Sequence, residues 1–121
     1  MHVLIVDGAN VVGSRPDGWW RDRPGAAGRL RDRLTTADLP HDEVVLVLEG
    51  AARSGVPAGR TGRVQTIHAT GSGDDAIAAE AHARTTDGWD VTVVTADRAL
   101  QDRVRASGAS TVGPSWLLDR V

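Results

Sequence analysis

Short apolar runs that end near an acidic residue recur along this chain and constrain its fold more than any other feature. The three runs and the acids that follow them are His2–Val6 with Asp7, Val44–Leu48 with Glu49, and Val91–Thr95 with Asp97. Apolar, β-branched runs separated by helical stretches predict buried parallel strands. Residues just past the ends of parallel strands meet in one crevice. We therefore expect these carboxylates to lie together at one edge of a sheet.

Strand and helix signals alternate along the chain and predict the α/β class. We expect strands at about residues 2–7, 43–49, 63–69, 90–95 and 109–113. Helices are expected at about residues 24–37, 72–86, 97–105 and 115–120. Right-handed crossovers give a three-layer helix–sheet–helix sandwich, with a mainly parallel sheet in the strand order 3-2-1-4-5. A chain of this length is expected to form one domain, residues 1–121.

Three local features carry more specific expectations. Gly8 permits a tight turn after the first strand, which would let Asn10 fold back toward the crevice. Residues 50–62 contain four glycines and a proline, so we expect a mobile loop without a helix there. The strand at 63–69 is the least apolar of the five and is expected at the sheet edge.

Composition excludes several classes of protein. The chain has no cysteine and no lysine, and all 14 basic residues are arginine. Thiolate metal sites, cysteine nucleophiles, Schiff-base lysines and Walker-type phosphate loops are therefore excluded. The first apolar run is cut off by Asp7 and is too short for an export signal or a membrane span. We expect a cytoplasmic protein that does not associate with membranes.

Candidate acidic residues occupy strand ends and the start of a helix. Carboxylates in one crevice repel one another unless a cation lies among them, and oxygen-only ligand sets suit Mg²⁺ or Mn²⁺. The predicted metal ligands are Asp7, Glu49, Asp74, Asp75 and Asp97. Asn10 is expected to position a water or a phosphate. The structural alternative for these residues is the capping of a turn or of the first turn of a helix.

Candidate substrate contacts are arginines and tryptophans. Six arginines fall within residues 15–33, and a Trp pair lies among them. A basic, aromatic segment beside an acidic site suits a single-stranded nucleic acid, although one Trp is expected to hold its loop on the core. The predicted substrate-binding residues are Arg15, Trp19, Trp20, Arg21, Arg53 and Arg60. A solvated arginine surface is the alternative.

Three motifs resemble the PIN-like superfamily of metal-dependent ribonucleases, specifically its NYN branch. The motifs are Val6–Asn10, Gly73–Ile77 and Val94–Arg98, in the order found in that family and spread over nearly the whole chain. The resemblance implies a PIN-like fold, with Asp7, Asp74, Asp75 and Asp97 as Mg²⁺ or Mn²⁺ ligands supported by Asn10. The chain departs from the family at Glu49, where relatives often carry Asp, and at Gln101, where some carry another acid.

These observations favour a metal-dependent endoribonuclease that cleaves single-stranded or loop RNA with a metal-activated water. Its predicted catalytic residues are Asp7, Asn10, Asp74 and Asp97. One alternative is a small metal-dependent phosphohydrolase acting on a nucleotide or sugar phosphate. Another is a non-catalytic RNA-binding or assembly module of the same fold. The expected partner is RNA, and the sequence leaves open whether a second copy or another protein also binds.

Overall fold

Six strands and five α-helices alternate along the chain in a computed structural model that describes residues 1–121. The strands are β1 (His2–Asp7), β2 (Glu43–Leu48), β3 (Gly59–Thr61), β4 (Val64–His68), β5 (Asp90–Val94) and β6 (Ser110–Val112). The α-helices are α1 (Gly8–Gly13), α2 (Arg23–Thr36), α3 (Gly73–Thr86), α4 (Arg98–Ala106) and α5 (Pro114–Leu118). Two short 3₁₀ helices span Trp19–Arg21 and Gly50–Gly55.

The sheet confirms the predicted α/β architecture. Its strand order is β3-β4-β2-β1-β5-β6. The five predicted strands correspond to β1, β2, β4, β5 and β6, all parallel and in the predicted order. The central strand is buried on both faces, with Leu4 and Val6 in one core layer and Val3 and Ile5 in the other. Helices α1, α2 and α5 contribute to the first layer, and α3 and α4 contribute to the second.

The segment 50–62 differs from its prediction as a mobile loop without a helix. It contains the 3₁₀ helix Gly50–Gly55 and strand β3, which pairs antiparallel with β4. Tertiary contacts hold it, because Val56 is buried in the core and its carbonyl lies 2.7 Å from Nε2 of His68. Gly55 packs so closely on the carbonyl of Pro24 that no Cβ fits there. Since β3 covers β4, the predicted edge position of residues 63–69 was also wrong.

Gly8 begins a helix, where a tight turn was predicted. Asp7 is the N-cap of α1, and the helix continues to Gly13. A Cβ on Gly8 would lie 2.7 Å from the carbonyl oxygen of Val47 and 2.8 Å from a methyl of Leu48. Glycine is therefore required for the close approach of α1 to β2. The helix brings Asn10 back over the end of the sheet, the position that was predicted, although a helix and not a tight turn places it there.

Candidate active site

Four acidic side chains occupy the edge of the sheet where β1, β2 and β5 end and α3 begins. Asp7 ends β1, which lies between β2 and β5 in the sheet. Glu49 follows β2, and Asp97 lies three residues after the end of β5. Asp74 lies in the first turn of α3. The predicted gathering of acids at strand ends follows from this topology.

Asp7 is the most buried member of this acidic site. The residue is only 5% exposed. Its Oδ1 accepts a hydrogen bond from the backbone N–H of Asn10 at 3.2 Å, and its Oδ2 accepts one from Oγ1 of Thr95 at 2.9 Å. Burial raises the pKa of Asp7 above its ordinary value, and the negative charges of Asp74 and Glu49 add to that rise. The two hydrogen bonds act in the opposite direction and partly offset this rise.

Asp74, at the start of α3, is also close to the negative charges of other acids in the site. Partial burial raises its pKa first, and the charges of Asp97 and Glu49 raise it further. The guanidinium of Arg103 acts in the opposite direction. The backbone N–H of Asp74 donates to Oγ of Ser72 at 3.2 Å, so this serine caps α3. Mutual repulsion among the acids is the electrostatic condition that a bound cation would relieve.

Three polar side chains brace the segment between β5 and α4. Thr95 is fully buried, and its Oγ1 also accepts the backbone N–H of Asp97 at 3.1 Å. Oδ1 of Asn10 accepts the N–H of Ala96 at 2.7 Å. Nε2 of Gln101 donates to the carbonyl of Thr95 at 2.8 Å. Gln101 therefore holds the backbone that presents Asp97.

The remaining two predicted ligands make structural contacts. Oε2 of Glu49 accepts the N–H of Gly73 at 3.0 Å, which joins the end of β2 to the start of α3. A Cβ on Gly73 would lie 2.9 Å from Oε1 of Glu49, so glycine makes room for the carboxylate. Asp75 is largely exposed and forms an ion pair with Arg103 of α4 at 2.9 Å. The two adjacent acids of α3 thus have different neighbours.

No group of three or more His, Asp or Glu side chains lies close enough together to hold a metal ion in this structure. The acids interact through their charges without forming a ready-made cage. Their chemistry nevertheless fits Mg²⁺ or Mn²⁺, because all the donors are carboxylate oxygens. In addition, Asp7 and Asp74 are each repelled by the negative charges of neighbouring acids, which a cation would neutralise. The metal-ligand assignment of Asp7, Glu49, Asp74, Asp75 and Asp97 stays a prediction.

A cavity of about 420 Å³ adjoins the acidic site. Its wall includes Gly8, Trp19, Arg23, Glu49 and Gly71. The guanidinium carbon of Arg23 lies 5.4 Å from the ring centroid of Trp19, a cation–π distance. The ring of Trp19 stands edge-on to that of Trp20 at 6.0 Å, and Arg21 lies 5.8 Å from the Trp20 ring. The predicted aromatic and basic segment is therefore placed beside the acids.

A second cavity, about 260 Å³, lies between α1, α2 and α5 and has a basic rim. Three arginines line it: Arg15, Arg29 and Arg33. None of them forms an ion pair with an Asp or Glu side chain, although Asp17 also borders the cavity, and Arg33 donates to the main-chain oxygen of Val121 at 3.2 Å. Arg15 was predicted from the sequence as a substrate contact, whereas Arg29 and Arg33 were not. Their spacing of four residues on one helix was the available signal.

Arg53 and Arg60 are placed differently from one another. Arg53 donates to the carbonyls of Gly50 at 3.1 Å and Ala69 at 3.3 Å, near the ends of β2 and β4. Arg60 pairs with Glu43 at 2.9 Å. This contact is the main reason that the pKa of Glu43 lies below its ordinary value. Glu43 begins β2, at the end of the sheet opposite Glu49. This geometry argues against Arg60 as a phosphate contact beside Asp7.

The architecture defines a protein class, namely α/β proteins with a mainly parallel six-stranded sheet between helices, consistent with a PIN-like fold. No family model matches the chain, and no curated protein matches it either. The chain is similar in structure to Rae1 (YacP) from Bacillus subtilis, for which a crystal structure of a mutant form exists. The TM-score is 0.75 at 22% sequence identity, over 98% of this chain and 74% of the Rae1 chain. None of the helices has the length and apolar character needed to cross a membrane.

Proposed function

We propose that this protein is a Mg²⁺- or Mn²⁺-dependent endoribonuclease that cleaves single-stranded or loop RNA in the cytoplasm. The observation that carries the proposal is the placement of four acids at the carboxyl edge of the sheet, with Asp7, Glu49 and Asp97 after the ends of β1, β2 and β5 and Asp74 in the first turn of α3. These four residues and Asp75 would hold the cation. When bound, it supplies neutralising charge for a phosphodiester and lowers the pKa of a water molecule.

The chain's own residues would orient the substrate around this site. Thr95 holds the carboxylate of Asp7 and the N–H of Asp97, and Asn10 holds the N–H of Ala96, so Asp7 and Asp97 are presented from a rigid base. Arg15, Arg21 and Arg23 make no ion pair with a carboxylate, which leaves their charge free for phosphates. Trp19 and Trp20 offer faces for unpaired bases. Acids and free arginines on one side of the molecule suit a negatively charged strand that is held and cut.

Cleavage of a labelled single-stranded RNA tests the proposal. Wild-type protein with Mn²⁺ should yield fragments, and EDTA should stop the reaction. Asp7→Asn and Asp97→Asn should each lower the rate by about a hundredfold or more, because each removes a charged ligand from the site. Asp38→Asn is the matched control, since Asp38 is exposed and lies in the connection from α2 to β2 at the opposite end of the sheet.

The same experiment separates the two alternatives. A small phosphohydrolase is favoured by one observation, since the 420 Å³ cavity beside Glu49 has the size of a small-ligand pocket. Hydrolysis of mononucleotide phosphate esters with RNA left intact would support that function. Binding of RNA with no metal-dependent cleavage would identify a binding module. Equal cleavage by wild type and both site variants would indicate a contaminating nuclease and refute the proposal.

A further inference from the structure

The cavity beside Glu49 combines an aromatic wall, an aliphatic lining and two charged side chains. One wall is the ring of Trp19, which is partly buried, whereas Trp20 is 52% exposed. Val12, Leu48 and Ala52 provide an aliphatic lining. Arg23 and Glu49 add a cation and a carboxylate at the polar part of the wall. A ligand that fills this space therefore needs flat apolar faces and a polar edge.

The position of Trp19 is fixed by its neighbours. The ring lies 3.7 Å from the place where a Cβ would stand on Gly13, at the end of α1. Trp20 contacts it edge-on, and Arg23 stands over the ring. A rigid aromatic wall loses little conformational entropy when a planar group stacks on it. The two tryptophans therefore differ in role, with Trp19 inside the cavity and Trp20 outside it.

We propose that this cavity receives one unpaired nucleobase of an RNA strand whose neighbouring phosphodiester lies at the acidic site. The assignment of the strand as RNA rests on the proposed function. The base stacks on Trp19, and its polar edge lies against the part of the cavity wall that Arg23 and Glu49 form. Gly8 and Glu49 border both the cavity and the acidic site, so the base and the reacting phosphate are adjacent. The substrate must therefore be unpaired at the position next to the cut.

Gly71 offers a way to block the cavity without disturbing the fold. It lines the cavity, its φ lies outside the positive region, and a Cβ built there has open space around it. Gly71→Leu should therefore fold normally while its side chain narrows the cavity. Gly113→Leu is the matched control, because Gly113 also has open space and extended backbone but does not line the cavity.

Binding is measured in EDTA with an Asp7→Asn background, by the anisotropy of a short labelled single-stranded RNA. Gly71→Leu should weaken binding by about tenfold, the scale of one lost base stack, and Gly113→Leu should leave it unchanged. Trp19→Phe should retain most of the affinity, whereas Trp19→Leu should lose as much as Gly71→Leu. Melting temperatures of all variants show whether each one folds.

An abasic substrate tests the same point with unaltered protein. Removal of the single base next to the cleaved bond should slow wild-type cleavage by about tenfold, whereas removal of a base several positions away should have little effect. Cleavage that is indifferent to the abasic position, to Gly71→Leu and to Trp19→Leu would overturn the cavity assignment and leave the nuclease intact. RNA binding that depends on the cavity, with no cleavage at all, would support the assignment and refute the nuclease.

Discussion

Thr95 provides the sharpest test of how the acidic site is built. Its hydroxyl is fully buried, donates to Oδ2 of Asp7 at 2.9 Å and accepts the N–H of Asp97 at 3.1 Å. Thr95→Val keeps the side-chain shape and removes both contacts. A hydrogen bond to a charged group contributes about 1.5–3 kcal/mol, and an unsatisfied buried donor costs about 1–3 kcal/mol. Because the two effects are not additive, we expect a loss of about 3 kcal/mol.

Thr95→Ser is the control, because it keeps the hydroxyl and loses one buried methyl. Removal of a methyl from a core site costs about 1 kcal/mol. Valine should therefore be the more destabilising substitution although it preserves more volume. The expected fall in melting temperature for Thr95→Val is about 10–15 °C, at about 3–6 °C per kcal/mol for a chain of this size. Urea unfolding followed by circular dichroism measures both variants.

The pH dependence gives a second check on the same contact. The Thr95 hydroxyl lowers the pKa of Asp7, so its loss raises that pKa further above the ordinary value. The penalty of Thr95→Val is therefore full where Asp7 is ionised and shrinks as the pH falls through the folded-state pKa. A penalty that stayed constant from neutral pH down to about 3, or a larger loss for Thr95→Ser than for Thr95→Val, would refute this account.

Three further predictions concern the charges of the site. Asp7→Asn should leave the free energy of unfolding at pH 7 equal or higher, because the raised pKa of Asp7 means that its ionised form is unfavourable in the folded state. Any gain in stability should vanish as the pH falls toward 3.8, the ordinary pKa of Asp. Urea unfolding at pH 7 and near pH 3.8 measures this. Millimolar Mn²⁺ should raise the melting temperature of wild type by mass action and that of Asp7→Asn much less, whereas an equal rise in both would place the ion elsewhere. Replacing Arg15 and Arg29 by Ala should reduce the salt slope of RNA binding by about 1.4, at about 0.7 per phosphate contact, and Arg60→Ala should not change it; anisotropy titrations over a range of salt concentrations decide the matter.

The sequence predicted the parallel strands because burial on both faces leaves a strong signal. A run such as Val44–Leu48 has no polar face to present, so only an interior strand accommodates it. The missed elements lack such a signal. All three residues of β3 are exposed, and α1 has only six residues, too few for a periodic pattern. Both are held by tertiary contacts, for example the packing of Gly8 against Val47.

The position of the acids that follow strands was predictable from the sequence, whereas their side-chain contacts were not. A strand end fixes where Asp7 and Asp97 lie, whereas the bridge between them depends on Thr95, which as a β-branched residue looks like an ordinary strand former. The ion pair of Asp75 with Arg103 joins two helices whose relative placement no local pattern specifies. Side-chain partners of this kind are set by packing between distant segments, so sequence spacing alone does not reveal them.

The distribution of paired and unpaired arginines indicates the side from which a polyanion would reach the acidic site. Arg60 of β3 pairs with Glu43, and Arg84 of α3 pairs with both Glu43 and Glu80. Arg103 of α4 pairs with Asp75. On the other face of the sheet, three arginines on or beside α1 and α2 have no carboxylate partner, namely Arg15, Arg23 and Arg29, whereas on α4 the only such arginine is Arg98. Unpaired charge on one side raises the positive potential there, and a polyanion is drawn toward that side first. If RNA is the substrate, as proposed, it should approach across α1 and α2 and reach Trp19 before the acids, so that base and phosphate contacts form before its backbone meets the repulsive carboxylates.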